Sequence, residues 1–405
     1  MEALVLDMTH GGFIIAERLV DLGWKVSCVD VYHNSTEECR ERLEAKGLKA
    51  LDESPPGHFD VVFMPAHCPD SFIGDAVCDK RMTFTEAVGM LIDDDLPFRI
   101  EVTGVKGKTS TCYLVAHALS YIGKKVFLHS SRGQGPYEGT HKVTACRSIA
   151  PPFILELPEK GYDVVISEVS LGGSGKADIA VITNLVDDYG IAKNTRKASE
   201  AKAQALTSKV NIVRKDEEDL WSRLRPDVRL TTYSDNCHVI GTQKLGEPLR
   251  IEFTYAGRKA QALLDGSYLS RQYLPSIDIA LKVLEALDVP LEDVIGSLES
   301  FRGVPGRGEV SGKEGCWRIT ERNPGISHIS IGMTMGCLKE LGALDGCFVV
   351  VDPVSKKVCD KMKAPLIREV LDSYGVEYAI TDGKGEQMDT SGHPVVVTFV
   401  KEAWQ

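Results

Sequence analysis

Thr103-Gly104-Val105-Lys106-Gly107-Lys108-Thr109-Ser110 stands between an apolar run that begins at Phe98 and a helical pattern that reaches about Ile122. Glycines at 104 and 107 let the backbone wrap tightly, so that its amides point toward one centre. The helix that follows adds its positive N-terminal end. A strand, a glycine turn and a helix in that order cradle phosphate. Lys108 is expected to reach the β- and γ-phosphates of ATP, and the Thr109 hydroxyl to ligate Mg²⁺. The full Gly-x-x-x-x-Gly-Lys-Thr spacing is not met, because Val102 occupies its first position; the shorter Thr-Gly-x-x-Gly-Lys-Thr-Ser form is present instead. A glycine turn with a surface lysine is the plain alternative, and the strand-turn-helix context argues against it. Thr103, Gly104, Val105, Lys106, Gly107, Lys108, Thr109 and Ser110 are therefore the expected ATP-binding set.

Working outward, strands alternate with helices on both sides of this turn. Ala3 to Asp7, Lys25 to Asp30 and Phe59 to Met64 read as strands, and Phe13 to Leu22 as a helix closed by Gly23. Val126 to Leu128, Val164 to Ile166, Ile179 to Ile182 and Asn211 to Val213 read as further strands, Ser276 to Ala286 as an amphipathic helix, and Cys347 to Val351 as a strand near the end. Such alternation predicts parallel sheets covered by helices. The acidic Asp93-Asp94-Asp95-Leu96-Pro97 reads as a linker, and Gly303-Val304-Pro305-Gly306-Arg307 as the close of the second unit. Three α/β domains are expected, at 1–96, 97–306 and 307–405, which suits a chain of 405 residues at roughly 150 residues per domain.

Composition narrows the function. The net charge is −11, so a dense cationic face for nucleic acid is not expected. No apolar run approaches the ~20 residues needed to cross a bilayer, and the acidic start lacks the basic flank of a signal peptide. A cytoplasmic protein without nucleic-acid or membrane partners is predicted. The 11 cysteines include no Cys-x-x-Cys pair, so reduced and mostly buried thiols are expected rather than a zinc ribbon or redox motif.

Asp163-Val-Val-Ile-Ser167-Glu168 is an apolar strand that ends in an acid, where a magnesium-binding carboxylate belongs beside a phosphate loop. Glu168 joins Thr109 as the expected metal pair. Thr183-Asn184 ends another strand, and Asn184 is either a nucleotide contact or a turn former. His10, Gly11 and Gly12 lie at a strand-to-helix edge suited to an anionic group, or form a plain Rossmann-like turn with an incidental histidine. Arg132, after another strand, either holds a substrate carboxylate or phosphate or is an exposed loop arginine.

Thr-Gly-x-x-Gly-Lys-Thr-Ser, Ser167-Glu168-Val169-Ser170, Thr183-Asn184-Leu185 and Gly303-Val304-Pro305-Gly306-Arg307 together resemble the Mur ligase family. The resemblance implies a first, Rossmann-like domain that holds a carboxylate substrate, a central P-loop domain that binds ATP, and a last, Rossmann-like domain that closes over both. It implies that Lys108 holds the γ-phosphate, that Thr109 and Glu168 hold Mg²⁺, and that Arg307 lies near the nucleotide. It places the family's carbamylated lysine, a third catalytic group with Lys108 and Glu168, on Lys202; a plain helix lysine is the alternative.

The sequence also departs from the family pattern. Tyr189 stands where the family has histidine, Gln272-Tyr-Leu-Pro-Ser276 replaces His-Asn-x-x-Asn, and Asn323-Pro324 is what remains of Asp-x-x-His-Asn-Pro. Asp7-Met-Thr-His10-Gly11-Gly12, Thr83-Phe-Thr-Glu86-Ala-Val88, Asn323-Pro-Gly-Ile-Ser-His328 and Asp352-Pro-Val-Ser-Lys-Lys357-Val-Cys359 resemble instead a branch of the family found in methanogenic archaea. That branch implies a small-molecule nickel tetrapyrrole carboxylate as substrate, with nickel present only as part of it, and ring closure by a carbon nucleophile. His10, Gly11, Gly12, Arg132 and Asn323 are the expected substrate-binding residues. An amino-acid-adding ligase and a non-catalytic nucleotide-binding module are the competing readings. An NAD-dependent oxidoreductase would leave the phosphate loop unexplained and lacks Gly-x-Gly-x-x-Gly.

Overall fold

Phe98–Thr103 runs through the middle of an eight-stranded sheet, between Val164–Glu168 on one side and Ile179–Ile182 on the other. Outside these lie Val126–Ser130, on the Val164 side, and Val210–Arg214 and Thr231–Tyr233, on the Ile179 side. These six strands are parallel, and two short antiparallel strands, Gly133–Glu138 and Thr140–His141, extend one edge. The chain passes from Phe98–Thr103 to Val126–Ser130 on one side, and later from Val164–Glu168 across to Ile179–Ile182 on the other. A crevice therefore opens at the carboxyl ends of the central strands, the usual ligand position in such sheets. The helix Lys108–Tyr121 starts at that edge. The computed structural model describes residues 1–93, 96–356, 362–381 and 388–402; Asp94 and Asp95 of the expected linker, and Lys357 and Cys359 of the last motif, lie outside the described residues.

The chain divides into two compact units, Met1–Cys112 with Lys124–Ser234, and Tyr113–Gly123 with Asp235–Gln405. In the first unit, a five-stranded parallel sheet precedes the large one, with strands in the order Ala50–Leu51, Lys25–Val29, Glu2–Leu6, Gly57–Met64, Ala76–Thr83. It is packed onto the large sheet through one apolar cluster that runs from Phe13, Ile14 and Val88 to Phe153, Ile154 and Val165. Arg42, held between Glu17 and Glu156, and Arg18, bonded to the Leu155 carbonyl at 2.8 Å, fasten the same seam. The helix Phe84–Leu91 is set by a capping box. Thr83 accepts from the Glu86 amide, and the Glu86 carboxylate accepts from the Thr83 amide. Its second residue then docks on the central domain, where Thr85 Oγ1 accepts from Gly173 N at 3.3 Å.

The second unit contains a three-stranded antiparallel sheet (His238–Val239, Leu249–Tyr255, Arg258–Leu264), the helices Leu274–Ala286 and Leu291–Ser300, and a five-stranded sheet. That last sheet runs Arg307–Lys313, Cys316–Arg322, Val395–Glu402, Cys347–Lys356, Glu377–Ile380, and all pairings but the first are parallel. Leu269 N donates to Gly308 O and Val310 N to Ser267 O, both at 2.7 Å, so the strand expected to open the last domain is tied to residues before it. The ten described cysteines are free thiols, and seven are buried. No helix among the described residues is long and apolar enough to cross a membrane.

Candidate active site

Gly104 sits where no side chain fits. Its φ is +133°, and an added Cβ would lie 2.0 Å from Thr183 Oγ1. The phosphate loop is built against the neighbouring strand end. Thr183 Oγ1 donates to Lys106 O at 2.6 Å, Asn184 Nδ2 donates to the same carbonyl at 3.1 Å, and Lys106 N donates to Asn184 Oδ1 at 3.1 Å. Val105 N donates to Asn184 O at 3.0 Å. Asn184, one of the expected ATP-binding residues, thus has its side chain engaged in shaping the loop. Lys108 Nζ curls back to the Gly104 carbonyl at 3.2 Å. Thr103 is buried, Gly107 is exposed, and Ser110 is half-buried on the first helical turn.

Beneath the loop, the two expected metal ligands meet. Thr109 Oγ1 donates to Glu168 Oε2 at 2.9 Å, and both residues are about 3% exposed. Ser131 N also donates to Glu168 Oε2, at 3.0 Å. Ser131 and Arg132 form the two-residue turn between Val126–Ser130 and Gly133–Glu138, so Arg132 is on a tight hairpin next to this carboxylate rather than in a long loop. Glu168 Oε1 makes no hydrogen bond among the described residues. A buried hydroxyl and a carboxylate with open lone pairs are hard oxygen donors, the set that Mg²⁺ prefers. The residues present fit that ion.

Lys202 is deeply buried beside the loop, at 1% exposure. Its Nζ donates to Gly104 O at 3.0 Å and to Ser170 O at 2.9 Å. Burial, reinforced by the charge of Lys108, pulls its amine well below the usual lysine value, against the opposing pull of Asp188. An unprotonated amine is the form that could take up carbon dioxide.

His129, on the Val126–Ser130 strand, is 1% exposed, and burial brings it down to about 4, with the charge of Glu168 opposing. Its Nε2 lies 3.1 Å from Ser148 O. His129 is neutral in the fold and ordinary when unfolded. Its contribution to stability is complete above pH 6.5 and is lost as pH falls toward 4, by roughly 3 kcal/mol at most. Urea titrations from pH 7 to pH 4 should show this loss, and His129→Gln should flatten the slope; an unchanged slope would mean that other groups set the acid response.

In the first domain, His10 and the buried Asp7 form a pair, with His10 Nδ1 2.6 Å from Asp7 Oδ2. Gly11 and Gly12 do not offer an open anion cradle. The Gly12 amide donates to the Asp7 carbonyl at 3.1 Å and that of Gly11 to the Met8 carbonyl at 3.4 Å, and a Cβ added at Gly11 would lie 2.9 Å from Pro152. His67 was not foreseen. It follows Gly57–Met64, which pairs in parallel with Glu2–Leu6, so the adjacent strand ends deliver Asp7 and His67 to one place. His10, Ala66, His67, Thr85, Pro151 and Ser170 help line a small cleft. Ser170 links this cleft to the phosphate loop through Lys202. Arg307 and Asn323 belong to the second unit. Arg307 O accepts from Tyr273 at 2.9 Å, and Asn323 Oδ1 accepts from Gly325 N at 3.1 Å, an internal turn.

Fold and site together are those of Mur-type ligases: residues 102–255 match the Mur ligase middle domain. A MurF ligase from Thermotoga maritima, solved in complex with ADP, superposes with a TM-score of 0.56 at 14% identity, covering 87% of this chain and 92% of that one. The three-domain α/β architecture expected from the sequence is that of these ligases. Along nearly its whole length the chain is similar to coenzyme F(430) synthetase of Methanosarcina acetivorans, at 29% identity over 95% of this chain and 90% of the relative. Its similarity to the UDP-N-acetylmuramoyl-L-alanyl-D-glutamate–2,6-diaminopimelate ligase of Pseudomonas syringae is 28% and spans 51% of this chain and 47% of that one.

Proposed function

We propose that the chain uses ATP and Mg²⁺ to turn a tetrapyrrole carboxylate into an acyl phosphate, and that a carbon of the same molecule then closes a ring; the relative that is similar along nearly the whole chain is named coenzyme F(430) synthetase. The observation that carries this reading is the reach of that similarity into both flanking domains, over 95% of the chain, against 51% and 75% for two amino-acid-adding ligases.

The chemistry asks for what the site offers. A carboxylate is a poor electrophile, because its charge repels a nucleophile and oxide does not leave. Phosphorylation supplies a leaving group. Lys108 sits on the phosphate loop to neutralise charge that builds on the transferred phosphoryl group. Thr109 and Glu168 would hold Mg²⁺, which would supply further charge neutralisation there. Arg132, one residue beyond the Ser131 amide on Glu168, would hold an anionic arm of the substrate. Arg307 and Asn323 remain proposed nucleotide and substrate contacts of the closing domain. A nucleophile within the same molecule requires orientation, and orientation alone supplies much of the rate.

The product's mass tests the reading. Incubation with the nickel tetrapyrrole precursor, ATP and Mg²⁺ should yield ADP, phosphate and a product lighter by about 18 mass units, since the acyl oxygen leaves with phosphate and the attacking carbon loses hydrogen. A heavier product bearing an amino acid would replace ring closure with amide formation. Loss of water without ATP consumption would remove the phosphate loop from the reaction.

A further inference from the structure

Asp7 is a fully buried carboxylate with φ of +72°, an unusual backbone for a residue with a side chain. Such an outlier at the end of a strand invites a functional explanation. The carboxylate is directed at two imidazoles. Oδ1 accepts from His10 N at 3.0 Å, and Oδ2 lies 2.6 Å from His10 Nδ1. His67 Nε2 stands 3.4 Å from the same Oδ2, too poorly aligned for a hydrogen bond. The two rings meet edge-on with centroids 4.5 Å apart, and Tyr32 stacks on His67. Burial alone would raise the Asp7 carboxyl, yet its contacts with His10 and His67 more than offset this and hold it below the usual carboxylate range. It is therefore an anion at neutral pH. A carboxylate on Nδ1 fixes the tautomer of His10 and leaves Nε2 with its lone pair, and no hydrogen bond is made by that nitrogen among the described residues. The ring is 39% exposed and lines the cleft that Ser170 and Lys202 connect to the phosphate loop.

We propose that His10, held by Asp7, is the general base that removes the proton from the attacking carbon. This rests on the ring-closure reading above. The C–H electron pair becomes the new C–C bond to the acyl carbon, the acyl C–O pair leaves with phosphate, and the proton passes to His10 Nε2. Asp7 then balances the imidazolium. Neither oxidant nor reductant is needed.

The partition of the acyl phosphate tests the assignment. In the presence of hydroxylamine, His10→Gln should still release ADP and accumulate hydroxamate from the tetrapyrrole precursor. Its ring-closed product should fall at least ~100-fold relative to that hydroxamate. In D₂O, wild type should exchange the hydrogen of the reacting carbon when ADP is bound, and His10→Gln should not. His10→Ala should regain ring closure on addition of imidazole, which separates lost base chemistry from lost packing; no regain, with an unchanged melting temperature, counts against the proposal. A product-to-hydroxamate ratio equal to that of wild type overturns it while leaving carboxylate activation intact. Wild type that forms neither product nor hydroxamate overturns the ring-closure reading, and the base role with it. The donor atoms of Asp7, His10 and His67 also lie within 4.8 Å of one another. One equivalent of Zn²⁺ retained by wild type through dialysis and lost in His10→Gln would make the cluster a metal site and overturn the base role.

Discussion

Lys108→Ala is expected to reduce ADP release below ~1% of wild type while the protein remains folded. The lysine lies on the first turn of Lys108–Tyr121 and reaches over the loop to the Gly104 carbonyl at 3.2 Å, so its charge lies at the loop proposed to hold the phosphates. Its side chain is half-buried and makes no part of an apolar cluster, so stability should change by less than ~1 kcal/mol. Lys108→Arg should not restore turnover, because the wider guanidinium cannot take the place of a point charge between the loop and its ligand. Coupled ADP assays and thermal melts on the same samples check both halves. Near-native ADP release by Lys108→Ala would detach the loop from catalysis.

The sequence exposed this loop because its signal is local. A strand, two glycines and a helix are written in consecutive residues, and an acid at the end of Val164–Glu168 needs only the parallel-sheet rule to be placed beside it. What escaped depends on long-range pairing. Asn184 is a loop buttress because Ile179–Ile182 is the direct neighbour of Phe98–Thr103, a strand order that no local pattern reveals. His67 joins Asp7 for the same reason, 60 residues away along the chain, through the pairing of Gly57–Met64 with Glu2–Leu6. Other omissions had a legible cause. Thr83 and Glu86 spell a capping box, and Leu249–Tyr255 alternates buried with more exposed residues along an antiparallel strand, a pattern easily passed over when βαβ units are sought. Gly133–Glu138 contains two glycines and a proline and no β-branched residue, so its pairing in the sheet is imposed by its neighbour rather than by propensity.

Glu168→Gln isolates charge from shape. Glutamine keeps an oxygen that can accept from Thr109 Oγ1 and Ser131 N, the two partners of Glu168 Oε2, so the turn at Ser131–Arg132 and the first turn of the helix should remain in place. What is lost is the negative charge on a residue only 3% exposed, where little water can substitute for it. An ion held by Thr109 and residue 168 would then bind through neutral oxygens alone. Turnover is expected to fall at least ~100-fold at ordinary Mg²⁺, and part of the loss should return when Mg²⁺ is raised, because the damage lies in occupancy. A Mg²⁺ titration of ADP release reads the two effects separately, one as a shifted midpoint and the other as a lowered plateau. A midpoint equal to that of wild type would place the ion elsewhere. It would leave Glu168 as a buried carboxylate whose work is to hold the Ser131 amide and, with it, the position of Arg132.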